Sequence, residues 1–137
     1  MSRQKVVLFV VYNDKTKSVL SEHRAKDHPL YPNLKTFPTG KLNRDESFEK
    51  ALQREIKEEL GIVPLKFVQL GLPIQSSKGN NLLYPFLILD WGGNLPTHIL
   101  DKGNRLVWET LDEISLSSIS TRPVIAQRVK DYLSNAK

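Results

Sequence analysis

The chain contains no cysteine. It can therefore build neither a disulfide framework nor a thiolate metal site, and this fits the reducing, cytoplasmic setting expected for it. No apolar run approaches the ~20 residues needed to span a bilayer, so no membrane partner is expected. The apolar stretch near the N-terminus, Val6 to Val11, is too short for a secretory signal and lacks a small-residue cleavage site. Internal repeats, low-complexity tracts and linker-like composition are also missing. The 137 residues suit one domain, spanning 1–137, with one hydrophobic core. Dense basic runs are absent as well: the formal net charge of +5 is spread along the chain. Such a surface attracts phosphate-bearing molecules of any kind without resembling a nucleic-acid-binding arm.

What is present reads as strands flanked by helices. Val6 to Tyr12 is apolar and β-branched, as a buried strand requires, and Asn13-Asp14 signals a turn into a returning strand, Lys17 to His23. Arg24 to Asn33 reads as a loop and Leu34 to Phe37 as a short extended piece that stops at Pro38. A helix is predicted from Asp45, as N-cap, to Leu60, with Gly61 as a left-handed C-cap. Ile62 to Leu72 and Leu82 to Trp91 read as long strands around a polar loop, Gln75 to Asn81. Arg105 to Glu109 is a further strand. A closing helix, Val124 to Leu133, is expected to face the core with Val124, Ile125, Val129 and Leu133. Together these elements predict an α/β protein with a mixed sheet between helices.

The segment from Gly40 to Ile62 carries the chemistry. Glu55, Glu58 and Glu59 stand at i, i+3 and i+4, so they share one helix face. The same projection aligns Glu55 and Glu59 with Phe48 and Leu52, and puts Gln53, Arg54 and Lys57 round the other side. A solvated face salt-bridged by Lys50 and Lys57 is one reading. But carboxylates that follow an apolar stripe repel one another at a desolvated place. A hard divalent cation resolves that conflict and would also bridge the acids to phosphate.

This segment resembles the signature box of the Nudix hydrolases: Gly, five residues, Glu, seven residues, Arg-Glu, an aliphatic residue, any residue, Glu-Glu, any residue, Gly, aliphatic. Gly40, Glu46, Arg54, Glu55, Ile56, Glu58, Glu59, Gly61 and Ile62 satisfy all nine fixed positions within 23 residues. The resemblance implies a Nudix-like α/β/α sandwich with a mixed β-sheet. It also implies magnesium, or manganese in its place, held by Glu55, Glu58, Glu59 and the backbone carbonyl of Thr39. Glu55 would be the general base unless a downstream loop supplies it, and Arg54 would orient the glutamates by ion pairing. Gly40 would permit a tight loop before the helix, and Lys41 would meet a phosphate. Two positions depart from the usual pattern. Thr39 stands where many members have glycine, and so does Asp45, read here as a helix cap.

Outside the box the chain is most similar to the MutT-like branch, which hydrolyses nucleoside triphosphates, oxidised ones included, to monophosphate and pyrophosphate. Arg24-Ala25, Trp108-Glu109 and Pro123-Val124-Ile125-Ala126 carry this likeness, and Arg24 would lie near the nucleotide. Where that branch has a purine-reading asparagine, this chain has Thr121, whose hydroxyl cannot offer an amide's paired donor and acceptor. Discrimination between oxidised and normal guanine nucleotides is therefore expected to be weak, below ~100-fold, unless Ser120 or Asn104 substitutes. Alternative substrates are a dinucleoside polyphosphate, a nucleotide sugar or a capped RNA end. A ligand-sensing domain without catalysis is the alternative from another class, and the oligomer is expected to be a monomer or homodimer. His23, His28 and His98 lack metal-ligand spacing and read as loop or strand-end residues. Trp91 and Trp108 read as packing residues, Tyr84 and Phe86 as lining either core or pocket. Asp101 is a candidate for an extra metal ligand or base.

Overall fold

The computed structural model describes residues 3–28, 32–76, 79–95 and 103–135. Strand β1 (Gln4–Asn13) runs through the centre. Its apolar run is buried on both faces because alternate side chains enter different layers. Val6, Leu8, Val10 and Tyr12 pack with Ile125, Ala126 and Val129, whereas Val7, Phe9 and Val11 pack with Ala51, Leu52, Ile56 and Leu60. The first set of helical residues belongs to α3 (Thr121–Asn135), the second to α1 (Phe48–Leu60). The core is thus two apolar layers with a sheet between them, an α/β/α sandwich.

Strand β7 (Asn81–Gly92) lies parallel to β1 in the register Gln4↔Asn81 and Val6↔Leu83. On its far side it pairs with β5 (Val63–Gln69) and β6 (Ile74–Gln75), both antiparallel. On the other side of β1, β4 (Thr39–Lys41) pairs at Val6 to Leu8, and β2 (Ser18–His23) pairs only at Tyr12 and Asn13. The expected hairpin therefore opens after two residue pairs. β2 departs to pair with β3 (Lys35–Thr36) and β8 (Arg105–Thr110). The gap left between β4 and that second group is what the cleft described below exploits.

Several sequence expectations are corrected. The predicted strand Ile62 to Leu72 ends at Gln69, because Gly71 adopts φ +76° and turns the chain into β6. Arg128 Nη1 staples this turn to α3 by donating to the carbonyls of Leu70 (2.7 Å) and Leu72 (2.6 Å). A short helix not anticipated, α2 (Leu111–Ser115), is started by a capping box between Thr110 and Glu113. Val124, expected in the core together with Ile125, is 43% exposed: the buried face of α3 runs through Ile125, Ala126 and Val129, and Val124 lies at its margin. Asp45 is not the cap of α1: the helix starts at Phe48 and Ser47 caps it, accepting from the backbone amide of Lys50. Asp45 adopts φ +62°, which explains why glycine suits that position. Gly61 ends α1 in the left-handed conformation expected of it. No helix among the described residues is long and apolar enough to cross a membrane.

Candidate active site

A cleft of about 500 Å³ opens on the α3 side of the sheet, bounded by β4. Its floor is apolar, formed by Val6, Leu8 and Leu83, which lie side by side on β1 and β7. At one end stand Thr39, Lys41, Glu55, Glu58 and Glu59, and the same cleft is lined by Arg24, Thr36, Phe37 and Thr121. The structure therefore gathers in one place the residues that the sequence singled out from four separate stretches of chain: Arg24, Thr39 with Lys41, the three glutamates, and Thr121. Arg54 stands behind them.

The three glutamates differ in setting. Glu55 is buried, at 8% exposure, whereas Glu58 and Glu59 are exposed. Only Glu55 follows the apolar stripe of α1, so the reading that Glu59 does too is corrected: the apolar arc closes at Leu52, Ile56 and Leu60. Room for Glu55 comes from Gly40. Its backbone pairs with Val7 on β1, and a Cβ there would overlap the Glu55 carboxyl group. Gly40 is thus needed for close approach within a strand and not for a tight loop.

Arg54 holds this end together. Its Nε and Nη2 donate to the two carboxylate oxygens of Glu46, each at 2.8 Å, in a bidentate pair. Nη1 donates to Glu55 Oε1 at 2.8 Å and reaches Glu58 Oε2 at 3.4 Å, while Nη2 also donates to the Lys41 carbonyl at 3.0 Å. These bonds fill the role that Lys50 and Lys57 hold in the solvated-face reading. Glu46 accepts a further bond from the Asn43 amide at 3.0 Å. Arg54 and that amide hold the Glu46 carboxyl well below its ordinary 4.5, at about 2. The same contacts, Glu46 first, raise the Arg54 guanidinium above its ordinary value. Glu46 was a fixed letter of the box with no role assigned; its charge opposite to Arg54 was the available signal.

The backbone supplies another oxygen. Phe9 donates to the Pro38 carbonyl and Leu42 to the Lys5 carbonyl. Gly40 therefore occupies a hydrogen-bonded pair with β1, and Thr39 and Lys41 occupy the alternate pairs whose carbonyls point away from β1. The Lys41 carbonyl meets Arg54. That of Thr39, two residues earlier in the strand, projects in the same direction, towards α1 and its glutamates. Among the described residues no three acidic or imidazole side chains are gathered round one point as a ready-made cation site. The donor set is nevertheless all hard oxygen, carboxylate and carbonyl, which fits an ion that keeps several positions for water and phosphate.

Towards the other end of the cleft, Arg24 is held by Thr36 Oγ1, to which its Nε donates at 2.9 Å, and by the His28 ring at 2.6 Å from its Nη1. Thr121, the first residue of α3, is 9% exposed. The next residue, Arg122, is 3% exposed and forms a buried pair that sequence reasoning missed. Its Nη2 donates to Glu109 Oε1 (2.8 Å) and Ser21 Oγ (2.6 Å), and its Nη1 to the Lys35 carbonyl (3.0 Å). The guanidinium also lies over the Phe37 ring, 4.8 Å from its centroid. Neither Asn104 nor Ser120 lines the cleft. Asn104 accepts from the Ala25 amide and donates to Glu22, so its amide secures the loop that carries Arg24.

Other candidates fall elsewhere. Phe86 is buried in the α1-side layer, and Tyr84 stacks on Phe48 with ring centroids 4.1 Å apart, so both belong to packing. Trp91 packs against that same layer, and Trp108 is partly exposed on β8. His23 ends β2 and contacts Asn33 and Arg105. Asp101 and His98 lie outside the described residues.

Comparison with known proteins agrees with the geometry. Residues 1–129 match the family model of the NUDIX domain. The 8-oxo-dGTP diphosphatase of Buchnera aphidicola subsp. Schizaphis graminum is 29% identical over 114 residues, covering 83% of this chain and 82% of that protein. The crystal structure of a MutT NUDIX hydrolase from Burkholderia pseudomallei superposes with TM-score 0.77 at 19% identity, covering 94% of this chain and 99% of that one. The NUDIX domain of Shewanella oneidensis NrtR, solved with ADP ribose, superposes with TM-score 0.70 at 21% identity, covering 97% and 90%. At such identities the structural likeness speaks for the fold, while the family match rests on the sequence itself. The complete signature box, the sandwich that presents it and a family match over nearly the whole chain lead to one conclusion: this protein belongs to the Nudix family of hydrolases, divalent-metal enzymes acting on nucleoside diphosphate derivatives.

Proposed function

We propose that the protein hydrolyses a nucleoside triphosphate to the monophosphate and pyrophosphate, with magnesium as its metal. The observation that carries this reading is the single cleft in which Glu55, Glu58, Glu59 and Thr39 share a wall with Lys41, and in which Arg24 and Thr121 offer polar groups beside an apolar floor. That layout suits a triphosphate with its base over the floor and its phosphates crossing Lys41 towards the glutamates. The name of the Buchnera relative, 8-oxo-dGTP diphosphatase, supports the same substrate class.

The roles follow from the setting of each residue. Glu55, Glu58, Glu59 and the Thr39 carbonyl would hold the metal, which when bound neutralises phosphoryl charge and activates water. Glu55 is the general base of this scheme: it is buried against Gly40 and fixed by Arg54, so its carboxylate is presented in one orientation. Water adds to an inner phosphorus, the bridging P–O bond breaks, pyrophosphate leaves, and Glu55 takes the proton of the attacking water. Arg54 and Glu46 act through Glu55 as positioning residues. Lys41 offsets charge on the phosphate chain.

A panel of nucleoside triphosphates assayed with magnesium or manganese, and with chelator, tests the reading. Monophosphate plus pyrophosphate is the expected product pair, and hydrolysis in oxygen-18 water locates the attacked phosphorus. Glu55→Gln should lower kcat by orders of magnitude while changing KM little, because a base acts in the transition state. Orthophosphate as first product, or full activity in excess chelator, would refute the assignment. Triphosphates that stay inert while dinucleoside polyphosphates or capped RNA react would keep the Nudix chemistry and change the substrate.

A further inference from the structure

We propose that Asn81 reads the nucleobase, supplying the amide edge that Thr121 lacks; this rests on the reading of the cleft as a nucleotide site. Asn81 opens β7 two residues before Leu83, so its side chain shares the face of Leu83 and Leu87. That is the α3 side, where Val6, Leu8 and Leu83 form the cleft floor. Asn81 and Thr121 both line the cleft.

The backbone of Asn81 is fixed from both sides. It stands opposite Gln4 on β1, with the Gln4 amide donating to the neighbouring Asn80 carbonyl at 2.9 Å. On the β6 side, the Ser76 amide donates to the Asn81 carbonyl at 3.0 Å, and the Asn81 amide donates to Ser76 Oγ at 3.3 Å. The side-chain amide makes no hydrogen bond among the described residues, although its carbonyl oxygen and NH₂ together offer an acceptor and two donors. A rigidly held backbone thus presents a free amide to a cleft whose other polar groups are differently equipped. Arg24 offers donors alone, and so does Arg122, whose Nη1 and Nη2 are taken by Glu109, Ser21 and the Lys35 carbonyl while its buried Nε has no partner among the described residues.

The chemistry selects a base. The N7/O6 edge of guanine offers two acceptors, which a donor-only arginine matches and an amide does not. Oxidation at C8 places a proton on N7, and the same edge then offers a donor beside an acceptor. An amide pairs with that edge through two hydrogen bonds, whereas a threonine hydroxyl cannot span it. Asn81 therefore tilts the cleft towards guanine nucleotides oxidised at C8 and reverses the expectation of weak discrimination drawn from Thr121.

The test measures binding of 8-oxo-dGMP and dGMP by calorimetry, for the parent, Asn81→Ala and Asn81→Leu. Leucine keeps the volume of asparagine and removes its hydrogen bonding, and the Tm of each variant confirms folding. The expected result is a preference for the oxidised nucleotide of at least about 10-fold in the parent, as a bidentate base contact gives, falling to within about 3-fold in both variants. A parent without preference, a preference unchanged in the variants, or no measurable binding of either nucleotide overturns the proposal. Because monophosphate binding requires no turnover, a preference lost with Asn81 stands even if triphosphates prove inert, which would refute the hydrolytic reading alone.

Discussion

Arg54 meets three carboxylates with one guanidinium, and its partition among them is unequal. Glu46 takes the bidentate pair, Glu55 a single bond and Glu58 a long one. Glu46 is the partner that fixes the arginine, and its lowered pKa records that. A carboxyl held at about 2 in the folded protein against an ordinary 4.5 contributes stability that is complete above pH 4.5 and is lost as pH falls towards 2. Urea midpoints measured across that window should fall with pH in the parent, and Glu46→Gln should flatten this limb. Parallel acid limbs for the two proteins would show that Glu46 carries none of the effect. At this scale the sequence was informative wherever charge sat at helical spacing, as for Glu55, Glu58 and Glu59. It was silent where partners meet across a loop or between strands. Glu46 and Arg54 lie eight apart with a helix start between them, Glu109 and Arg122 lie on different elements, and Asn81 sits in a polar stretch that reads as a loop.

Helix α1 shows how an element's start decides the placement of its functional face. Ser47 caps the helix through its side chain, and the left-handed Asp45 two residues earlier turns the chain so that Glu46 can reach Arg54. Ser47→Ala should cost about 1 kcal/mol of stability through the lost cap. Asp45→Gly should cost less than that or stabilise, because glycine adopts positive φ freely. Denaturant unfolding of the two variants separates the assignments, and the reverse order would restore Asp45 as the cap. Both residues are good cap formers by type, and what distinguishes them is the extended backbone of Ser47 with its side-chain bond from the Lys50 amide, against the left-handed backbone of Asp45. The end of the same helix was plain from Gly61. α2 was also readable, since Thr110 and Glu113 stand at capping-box spacing, but five residues are too few to show a helical period. The break between β5 and β6 was written as Gly71-Leu72-Pro73, and a continuous apolar reading ran over it.

The molecule as a whole is tied across its layers by the pair between Glu109 on β8 and Arg122 on α3, both nearly inaccessible to water. Removing one partner of such a pair leaves a buried charge uncompensated, so Glu109→Gln should destabilise by about 3–5 kcal/mol. Replacing both residues with apolar side chains of similar size should recover much of that loss, as a double-mutant unfolding cycle would show. Equal losses in single and double variants would mean that the charges themselves carry no weight. The α/β/α architecture was legible because β1 is apolar on both faces and α1 on one. The division of strands between β1 and β2 was not, because a short hairpin and a long one share the same turn signal. The parallel pairing of β1 with β7 also has a consequence for biosynthesis. Gln4 finds its partner only at Asn81, so at ribosomal speeds of about 5–20 residues per second the nascent β1 waits roughly 4–15 s for its neighbour to emerge. Throughout that interval one edge of the most apolar strand in the chain is unpaired, a template for misassociation that a chaperone at the exit tunnel could shield.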